Sequence, residues 1–436
     1  MLPAPMDIEL KRRIKAACRP EEPVQPGDRR HYDFDEPQRF RGLPWRTWLA
    51  DEIRMAEGPT AQLVTGLRGS GKTTELRQLE AVLTDDGYEV VYVDIGRWLS
   101  DREPLTTTDL LLTLVLALFP DGSPKSTTGR LAEFARRAQN LLGAEVDVGA
   151  KVPGPVPADA KLTISETTFQ QASRRLRERE GLREDIFALL ESTVDCERTV
   201  LLLDGGEKRA TGELLDGDRR ATFQNAWFAA FIHEGRDLRP PVHVVYTVPP
   251  FMIRRTPELA ASFGSELRFL PMIRVFDRDG KPEQAGLAAM VEALSRRTPL
   301  EHFADPAIPV WLAAHSGGYF RDLLRFINHM LHVVGEGERF TREDASFAVE
   351  QVRQTYTQGL GLVLEERGIL KRLHPSREFP SDEGSRARMD TLLEGYKMFR
   401  YHNGRDWYDA HPLFWELLDF GPPLTWEQAA ALHEAT

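Results

Sequence analysis

Cysteine is almost missing from this chain. Cys18 and Cys196 are the two thiols in 436 residues. That excludes a disulfide framework, and no Cys/His cluster has metal-ligand spacing. Long apolar runs are missing too. The most apolar stretch is LLLTLVLALF, Leu110 to Phe119. It falls well short of the roughly 20 residues that a membrane-spanning helix needs and is expected as a buried core helix. The N-terminal stretch MLPAPMDIELKRRIKAACRP has no apolar centre of the secretory kind. A cytoplasmic protein without membrane contact is therefore expected. The third absence is positive charge. Lys and Arg number 56 against 67 Asp and Glu, a formal net charge of -11. Proteins held on nucleic acid by their whole surface are basic, so any DNA contact must come from a local patch.

At 436 residues, two or three domains are expected. Residues 1–40 are rich in Pro, Arg and acids and read as an arm with one short helix near Ile8–Ala17. Pro44–Ala56 places Trp45, Trp48, Leu49, Ile53 and Met55 near helical spacing. AQLVTG then reads as a strand, TELRQLEAVLTDDG (Thr74–Gly87) as an amphipathic helix, and YEVVYVDI (Tyr88–Ile95) as a strand. Thr107–Phe119 is a helix with Asp109 in its first turn. Thr199–Leu203, Pro241–Pro250 and Phe269–Val275 are further strands. Strands alternating with helices predict a parallel sheet covered on both faces. Residues 121–195 read as an insertion: the helix TGRLAEFARRAQNLL, a hairpin in AEVDVGAKVPGPVPADAKLTIS, and one charged helix over 167–193. Beyond Val275 come a turn-rich linker and helices over Gln284–Arg297, Ala307–His315, Tyr319–Val334 and Thr341–Gln358. Residues 359–425 read as helix, helix, two strands and a short helix. The two strands flank Asn403-Gly404, a hairpin turn signal, and the order suggests a winged helix.

One stretch carries chemistry on its face. GLRGSGKTTEL, from Gly66 to Leu76, matches G-x-x-x-x-G-K-[ST] between an expected strand and an expected helix. In such a loop the glycines let backbone N–H groups cradle phosphates, and the helix that starts at Lys72 aims its positive end at them. Gly66, Arg68, Gly69, Ser70, Gly71, Lys72, Thr73 and Thr74 are the candidate nucleotide-binding residues. Lys72 is expected on the β- and γ-phosphates and the Thr73 hydroxyl on Mg²⁺. LLLDGGEK supplies the complementary half. Asp204 ends an apolar strand, where a carboxylate holds the metal through water. Glu207 either orients an attacking water or is a solvated loop acid. No guanine-reading N/T-K-x-D motif follows, so ATP with Mg²⁺ is the expected pair.

With these motifs the chain resembles an AAA+/STAND-type ATPase, close in layout to the replication-initiator (origin-recognition) branch. GLRGSGKTT and LLLDGGEK carry the resemblance. VVYTVPP resembles the strand of sensor 1, with Thr247 at the polar position. HSGGYFRDLLRFI resembles the sensor-2 helix, with Arg321 as its arginine. The resemblance implies an α/β fold: a P-loop three-layer parallel-sheet ATPase core with a helical lid and a C-terminal winged-helix domain. The implied boundaries are an arm at 1–40, a core at 41–275 holding the insertion 121–195, a lid at 276–358 and a winged helix at 359–436. It also implies an arginine finger acting in trans, with Arg268 the first candidate and Arg254 and Arg255 the second. Phe40 and Arg41 stand where the family's linker touches the base, or form a turn before the first core helix. Two departures stand out. Gly205 follows Asp204, where replication initiators usually carry an acid, and the insertion exceeds a minimal core.

The C-terminal region offers Arg386 and Arg388 on a helix and Arg400, His402 and Arg405 on the expected wing, among acidic and aromatic residues. DNA binding and a protein–protein or autoinhibitory role both remain open. Arg174, Arg175, Arg177 and Arg179 are interleaved with acids and read as a solvated helix face. The leading expectation is a slow ATPase acting as a switch that forms a homo-oligomer and engages a protein partner or effector. The resemblance extends this to bacterial signalling or defence against phage. The alternative is a DNA-acting ATPase of replication-initiation or transposition-helper type. A P-loop kinase is the third reading.

Overall fold

Polar side chains set where helices begin. The Asp7 carboxylate accepts the Leu10 amide at 2.7 Å and opens α1, Ile8–Ala17. Pro44 precedes α2, Trp45–Arg54. The computed structural model describes residues 6–35, 40–100, 103–118, 165–207, 217–359 and 361–434. In chain order there follow β1 (Ala61–Thr65), α3 (Lys72–Asp85), β2 (Glu89–Asp94) and α4 (Thr107–Ala117). Then come α5 (Glu166–Leu176), α6 (Leu182–Thr193), β3 (Thr199–Asp204), α7 (Gly217–Phe228), β4 (His243–Thr247), α8 (Thr256–Phe263) and β5 (Arg268–Phe269). The C-terminal half holds α9 (Gln284–Ser295), α10 (Ala307–Ser316), α11 (Phe320–Val333), α12 (Arg342–Gly359), α13 (Leu364–Ser376) and α14 (Glu383–Glu394). The strands β6 (Met398–His402) and β7 (Asp406–Ala410) and the helix α15 (Trp426–Glu434) end the described chain.

One compact unit comprises Arg46–Gly66 and Glu75–Phe269. It holds a five-stranded parallel sheet in the order β2-β3-β4-β1-β5. β1, β3 and β4 are buried along their whole length, as central parallel strands must be. α4 is buried from end to end and opens on a capping box between Thr106 and Asp109. Its leucines share one core with Leu201, Leu203, Val244 and Tyr246 of the sheet. Burying a side chain of that size contributes about 1.5–3 kcal/mol. The fold is α/β, a parallel sheet with flanking helices.

The described part of the expected insertion belongs to this core. Phe169, Leu176, Ile186 and Leu190 of α5 and α6 join the same apolar cluster. The single charged helix expected over 167–193 is two helices, because Gly181 takes a left-handed φ of 74° between them. The expected helix at 128–142 and most of the hairpin at 144–165 lie outside the described residues.

The other unit comprises Met1–Trp45, Leu67–Thr74 and Leu270–Thr436. In it the arm is docked. Leu10, Ile14 and Cys18 are buried, and Asn328 on α11 donates to the Cys18 carbonyl at 2.9 Å. β6 and β7 form the hairpin read from Asn403-Gly404, with Gly404 at φ 71° and Tyr401 stacked on Trp407. A buried network ties the hairpin's exit to α11: Asp322 receives Tyr356 at 3.0 Å, Arg325 at 3.0 Å and His411 Nε2 at 3.0 Å.

The strand expected over Phe269–Val275 is only β5. Pro271 has no N–H to give a ladder. The next amides turn elsewhere: Met272 donates to Arg400 and Arg274 to Phe40, each at 3.0 Å.

Candidate nucleotide site

β1 ends at Thr65 and α3 begins at Lys72, so the loop between them is the phosphate loop itself. Gly69 and Gly71 hold φ of 80° and 101°, values that side-chain-bearing residues avoid. The Ser70 amide donates to the Leu67 carbonyl at 3.0 Å and tightens the turn. Lys72 is buried, and its ammonium folds back to the Leu67 carbonyl at 3.0 Å. A left-handed glycine pair, a helix N-terminus and a buried ammonium fit a polyphosphate. A parallel α/β sheet that passes its first strand into such a loop and helix defines a P-loop nucleotide-binding fold.

Side chains from the same compact unit close on this loop. The Tyr319 hydroxyl donates to the Arg68 carbonyl at 2.7 Å. Burial first, then Tyr396, pushes the Tyr319 pKa upward, so the phenol stays a donor. Gly69 has no room for a side chain. A Cβ there would lie 2.5 Å from both Arg321 Nε and the Tyr319 hydroxyl. Arg321 also pairs with Glu21 of the arm at 2.8 Å. Arg41 is buried and donates to the Ser70 carbonyl at 3.1 Å. Its guanidinium lies 3.3 Å from where a Gly71 Cβ would stand. Phe40 is buried beside Tyr32, its carbonyl taken by Arg274. The Thr74 hydroxyl accepts the Val24 amide at 3.3 Å.

In the sheet unit, Asp204 ends β3 fully buried and accepts the Tyr92 hydroxyl at 2.6 Å. Arg77 lies over the Tyr92 ring, 3.4 Å from its centroid. Burial first, then the Asp204 charge, raises the Tyr92 pKa. Gly205 holds φ 86°, and a Cβ there would fall 2.0 Å from Asp94 Oδ1. A side chain at 205 therefore has no room: Asp94 of β2, in register with Asp204, occupies the space. Glu207 is buried. Thr247 is buried too, and its hydroxyl donates to the Leu203 carbonyl at 3.4 Å.

Arg268 lies 4.7 Å over the Trp48 ring, within 3.4 Å of Glu52 and 3.6 Å of Glu266. Arg254 reaches Gln224, and Arg255 reaches Glu258. In the C-terminal region, Arg388 pairs with Glu365, while Arg400 and His402 pair with Asp406. Arg386 and Arg405 are exposed. Arg174 pairs with Glu103 and Arg179 with Asp185; Arg175 and Arg177 are exposed.

Sequence reasoning passed over Tyr319, Tyr92, Asp94 and Glu21. Tyr319 stands in the quoted HSGGYFRD stretch, two residues before Arg321, and was legible as a second loop contact. Tyr92 carries no motif, since its role depends on strand order.

Among the described residues there is no group of three or more His, Cys, Asp or Glu able to hold a metal alone, and no helix long and apolar enough to cross a membrane. No family model matches the chain. Among curated proteins it is similar to a thymidylate kinase of Desulforapulum autotrophicum, 30% identical over 162 residues, 35% of this chain and 64% of the kinase. The chain thus spans just under two thirds of that relative's length. Among solved structures it is similar to the Walker-type ATPase of Pyrococcus abyssi at 13% identity, with a TM-score of 0.44, covering 96% of this chain and 99% of that one. It is also similar to Cdc6p of Pyrobaculum aerophilum at 13% identity, with a TM-score of 0.36 and 97% of each chain covered. A third is the ADP form of the ORC2 protein of Aeropyrum pernix at 11% identity, with a TM-score of 0.41, covering 97% and 98%.

Proposed function

We propose that this chain is an ATP-binding and hydrolysing molecular switch of AAA+/STAND type. Lys72 binds the β- and γ-phosphates, and the loop amides from Gly66 to Thr74 surround them. Thr73 and Asp204 serve the Mg²⁺, which when bound would neutralise developing phosphate charge. Glu207 is assigned to orient an attacking water, and Thr247 to the polar position of sensor 1. One observation carries the reading: Tyr319 and Arg321, at the start of α11, both reach the phosphate loop at Arg68 and Gly69. An arginine so placed distinguishes a terminal phosphate from its absence and passes that difference to the helices behind it.

In this reading residues 1–40 are the arm, 41–275 the core, 276–358 the lid and 359–436 a winged-helix domain. ATP favours a conformer that assembles with further copies of the chain and engages a protein partner or effector. Arg268 is the first choice for the arginine acting in trans. Phe40 and Arg41 are assigned to the base side of the site. The protein works in the cytoplasm, in bacterial signalling or defence against phage. The ion-paired arginines of the C-terminal region support a protein partner over a DNA backbone, which calls for clustered, uncompensated Lys and Arg.

The likeness to a thymidylate kinase supports one second reading, phosphoryl transfer to a nucleoside monophosphate. The experiment is particle mass by light scattering for wild type and Lys72→Ala, with ADP or a non-hydrolysable ATP analogue, with and without duplex DNA. Labelled ATP plus thymidine monophosphate is run beside it. Assembly with the analogue alone, lost in Lys72→Ala, supports the switch. Assembly only on DNA moves the assignment to a DNA-acting ATPase. Label transferred to the monophosphate makes it a kinase. A monomer under every condition overturns the in-trans model.

A further inference from the structure

The Tyr92–Asp204 hydrogen bond lies outside every motif of the phosphate loop. Three features make it more than the ordinary satisfaction of a buried phenol. The first is chemical. Asp204 is fully buried, and such a carboxylate is commonly held by an arginine or lysine, which cancels its charge. A phenol O–H adds an oriented hydrogen bond to a carboxylate without adding a positive charge of its own.

The second feature is geometric. Tyr92 and Asp204 come from adjacent parallel strands, and β2 pairs with β3 in a register that sets Tyr92 beside Leu202 and Asp94 beside Asp204. The tyrosine therefore reaches forward along the sheet to the last residue of β3. Its hydroxyl takes Oδ2 at 2.6 Å. That contact fixes the rotation of the carboxylate about Cβ–Cγ and so the direction of Oδ1. A carboxylate that holds a metal through water needs that direction fixed, because the water leaves one more freely rotating link.

The third feature is support. Tyr92 is itself clamped by the Arg77 guanidinium, 3.4 Å from the ring centroid, and Arg77 is held by Glu80 at 2.8 Å. Both lie on α3, the helix whose first residue is Lys72. The helix that ends the phosphate loop thus braces the tyrosine that orients the carboxylate.

We propose that Tyr92 is a positioning residue for the nucleotide-bound metal, acting through Asp204. This rests on the reading that Asp204 serves the metal. The ligand is a divalent cation carried with a nucleoside polyphosphate. Tyr92 touches neither, and its role is to aim Asp204.

Tyr92→Phe removes only the hydroxyl and keeps the ring under Arg77. The probe is Mn²⁺, titrated by electron paramagnetic resonance with ADP bound. Metal-free affinity for a fluorescent ADP in EDTA and a melting curve are measured on the same samples. Asp204→Asn is the reference variant. The expected result is half-saturating Mn²⁺ raised five- to twentyfold in Tyr92→Phe, with metal-free affinity within twofold of wild type. If Asp204→Asn loses Mn²⁺ affinity and Tyr92→Phe keeps it, the positioning role is overturned and the metal assignment stands. If Asp204→Asn binds Mn²⁺ as wild type does, the metal assignment of Asp204 is wrong and the role of Tyr92 falls with it. A Tyr92→Phe that loses metal-free affinity as steeply as metal affinity marks Tyr92 as structural, and this too overturns the proposal.

Discussion

The Tyr319 hydroxyl donates to the Arg68 carbonyl at 2.7 Å, so the residue that opens α11 grips the tip of the phosphate loop. Gly69, the next residue, keeps its place because a Cβ there would stand 2.5 Å from both Tyr319 and Arg321. Its φ of 80° adds backbone strain for any side chain. Gly69→Ala is therefore expected to weaken nucleotide binding at least tenfold, about 1.4 kcal/mol, with the rest of the fold intact. Fluorescent-ATP titration beside a melting curve checks it. Unchanged affinity would show that the loop relaxes away from α11 at little cost.

Arg321 has a second engagement, with Glu21 of the arm at 2.8 Å. The Glu21 side chain is largely exposed, at 72%, and exposed ion pairs contribute about 0–1 kcal/mol. If Arg321 takes a terminal phosphate as proposed, the Glu21 carboxylate competes for the same guanidinium. Glu21→Gln is expected to tighten binding of a non-hydrolysable ATP analogue, by no more than about fivefold, and to leave ADP unchanged. Arg321→Ala is expected to weaken the analogue more than ADP. Calorimetry on the three proteins with the two nucleotides decides it. Equal effects of both variants on both nucleotides would remove Arg321 from the terminal phosphate.

The core was legible where one local signal decides one element. The apolar run Thr199–Leu203 is β3, the Gly-rich loop lies between β1 and α3, and Asn403-Gly404 makes the hairpin. Reading failed where tertiary partners choose. Met272 and Arg274 look like strand residues, yet their amides go to Arg400 and Phe40, so β5 stops at Phe269. Gly181 inside a charged helical pattern marked a break that periodicity alone overrode. α7 and α8 were missed because aromatic and alanine-rich segments near several prolines and glycines give no clean period. Among the candidate site residues, Lys72 and Asp204 stand in motifs that the sequence shows. Tyr92 and Asp94 do not, because only the order β2-β3 brings them to Asp204 and Gly205.

Gly205 yields a sharper test than its neighbours. Asp94 Oδ1 lies 2.0 Å from where a Cβ at 205 would stand, and φ is 86°. Gly205→Ala is expected to lower stability by about 1–3 kcal/mol from the left-handed backbone alone, with the clash adding to it. Gly205→Glu, which places a carboxylate next to Asp204, is expected to unfold at lower temperature still and to gain no hydrolysis. Melting curves with a phosphate-release assay test both. Faster hydrolysis in Gly205→Glu at wild-type stability would mean that Asp94 yields its place.

His315 and His411, both buried in the C-terminal region, are expected to make it less stable in acid. His315 is buried with Nδ1 2.8 Å from the Trp311 carbonyl, so that nitrogen carries the proton and donates. Burial first pushes its pKa down to about 3. His411 receives the Leu413 amide on Nδ1 and therefore donates from Nε2 to Asp322. Burial lowers its pKa as well, with Asp322 opposing. Arg325 and Tyr356 also face Asp322 and leave little room for another positive charge. The sign follows from proton counting. Below the ordinary histidine value of about 6.5, the unfolded chain takes up protons that the folded chain refuses. Stability from these groups is complete above that value and is lost as pH falls toward the folded pKa, about 3 for His315. For His315 the loss runs at about 1.4 kcal/mol per pH unit. Between pH 6.5 and 5.0, His315 alone is expected to withdraw about 2 kcal/mol. His315→Met, which cannot titrate, is expected to flatten the fall in melting temperature between pH 7.5 and 5.0 while remaining folded at pH 7.5. A wild-type melting temperature that does not change over that range would show that both histidines gain protons as freely in the folded protein as in the unfolded chain.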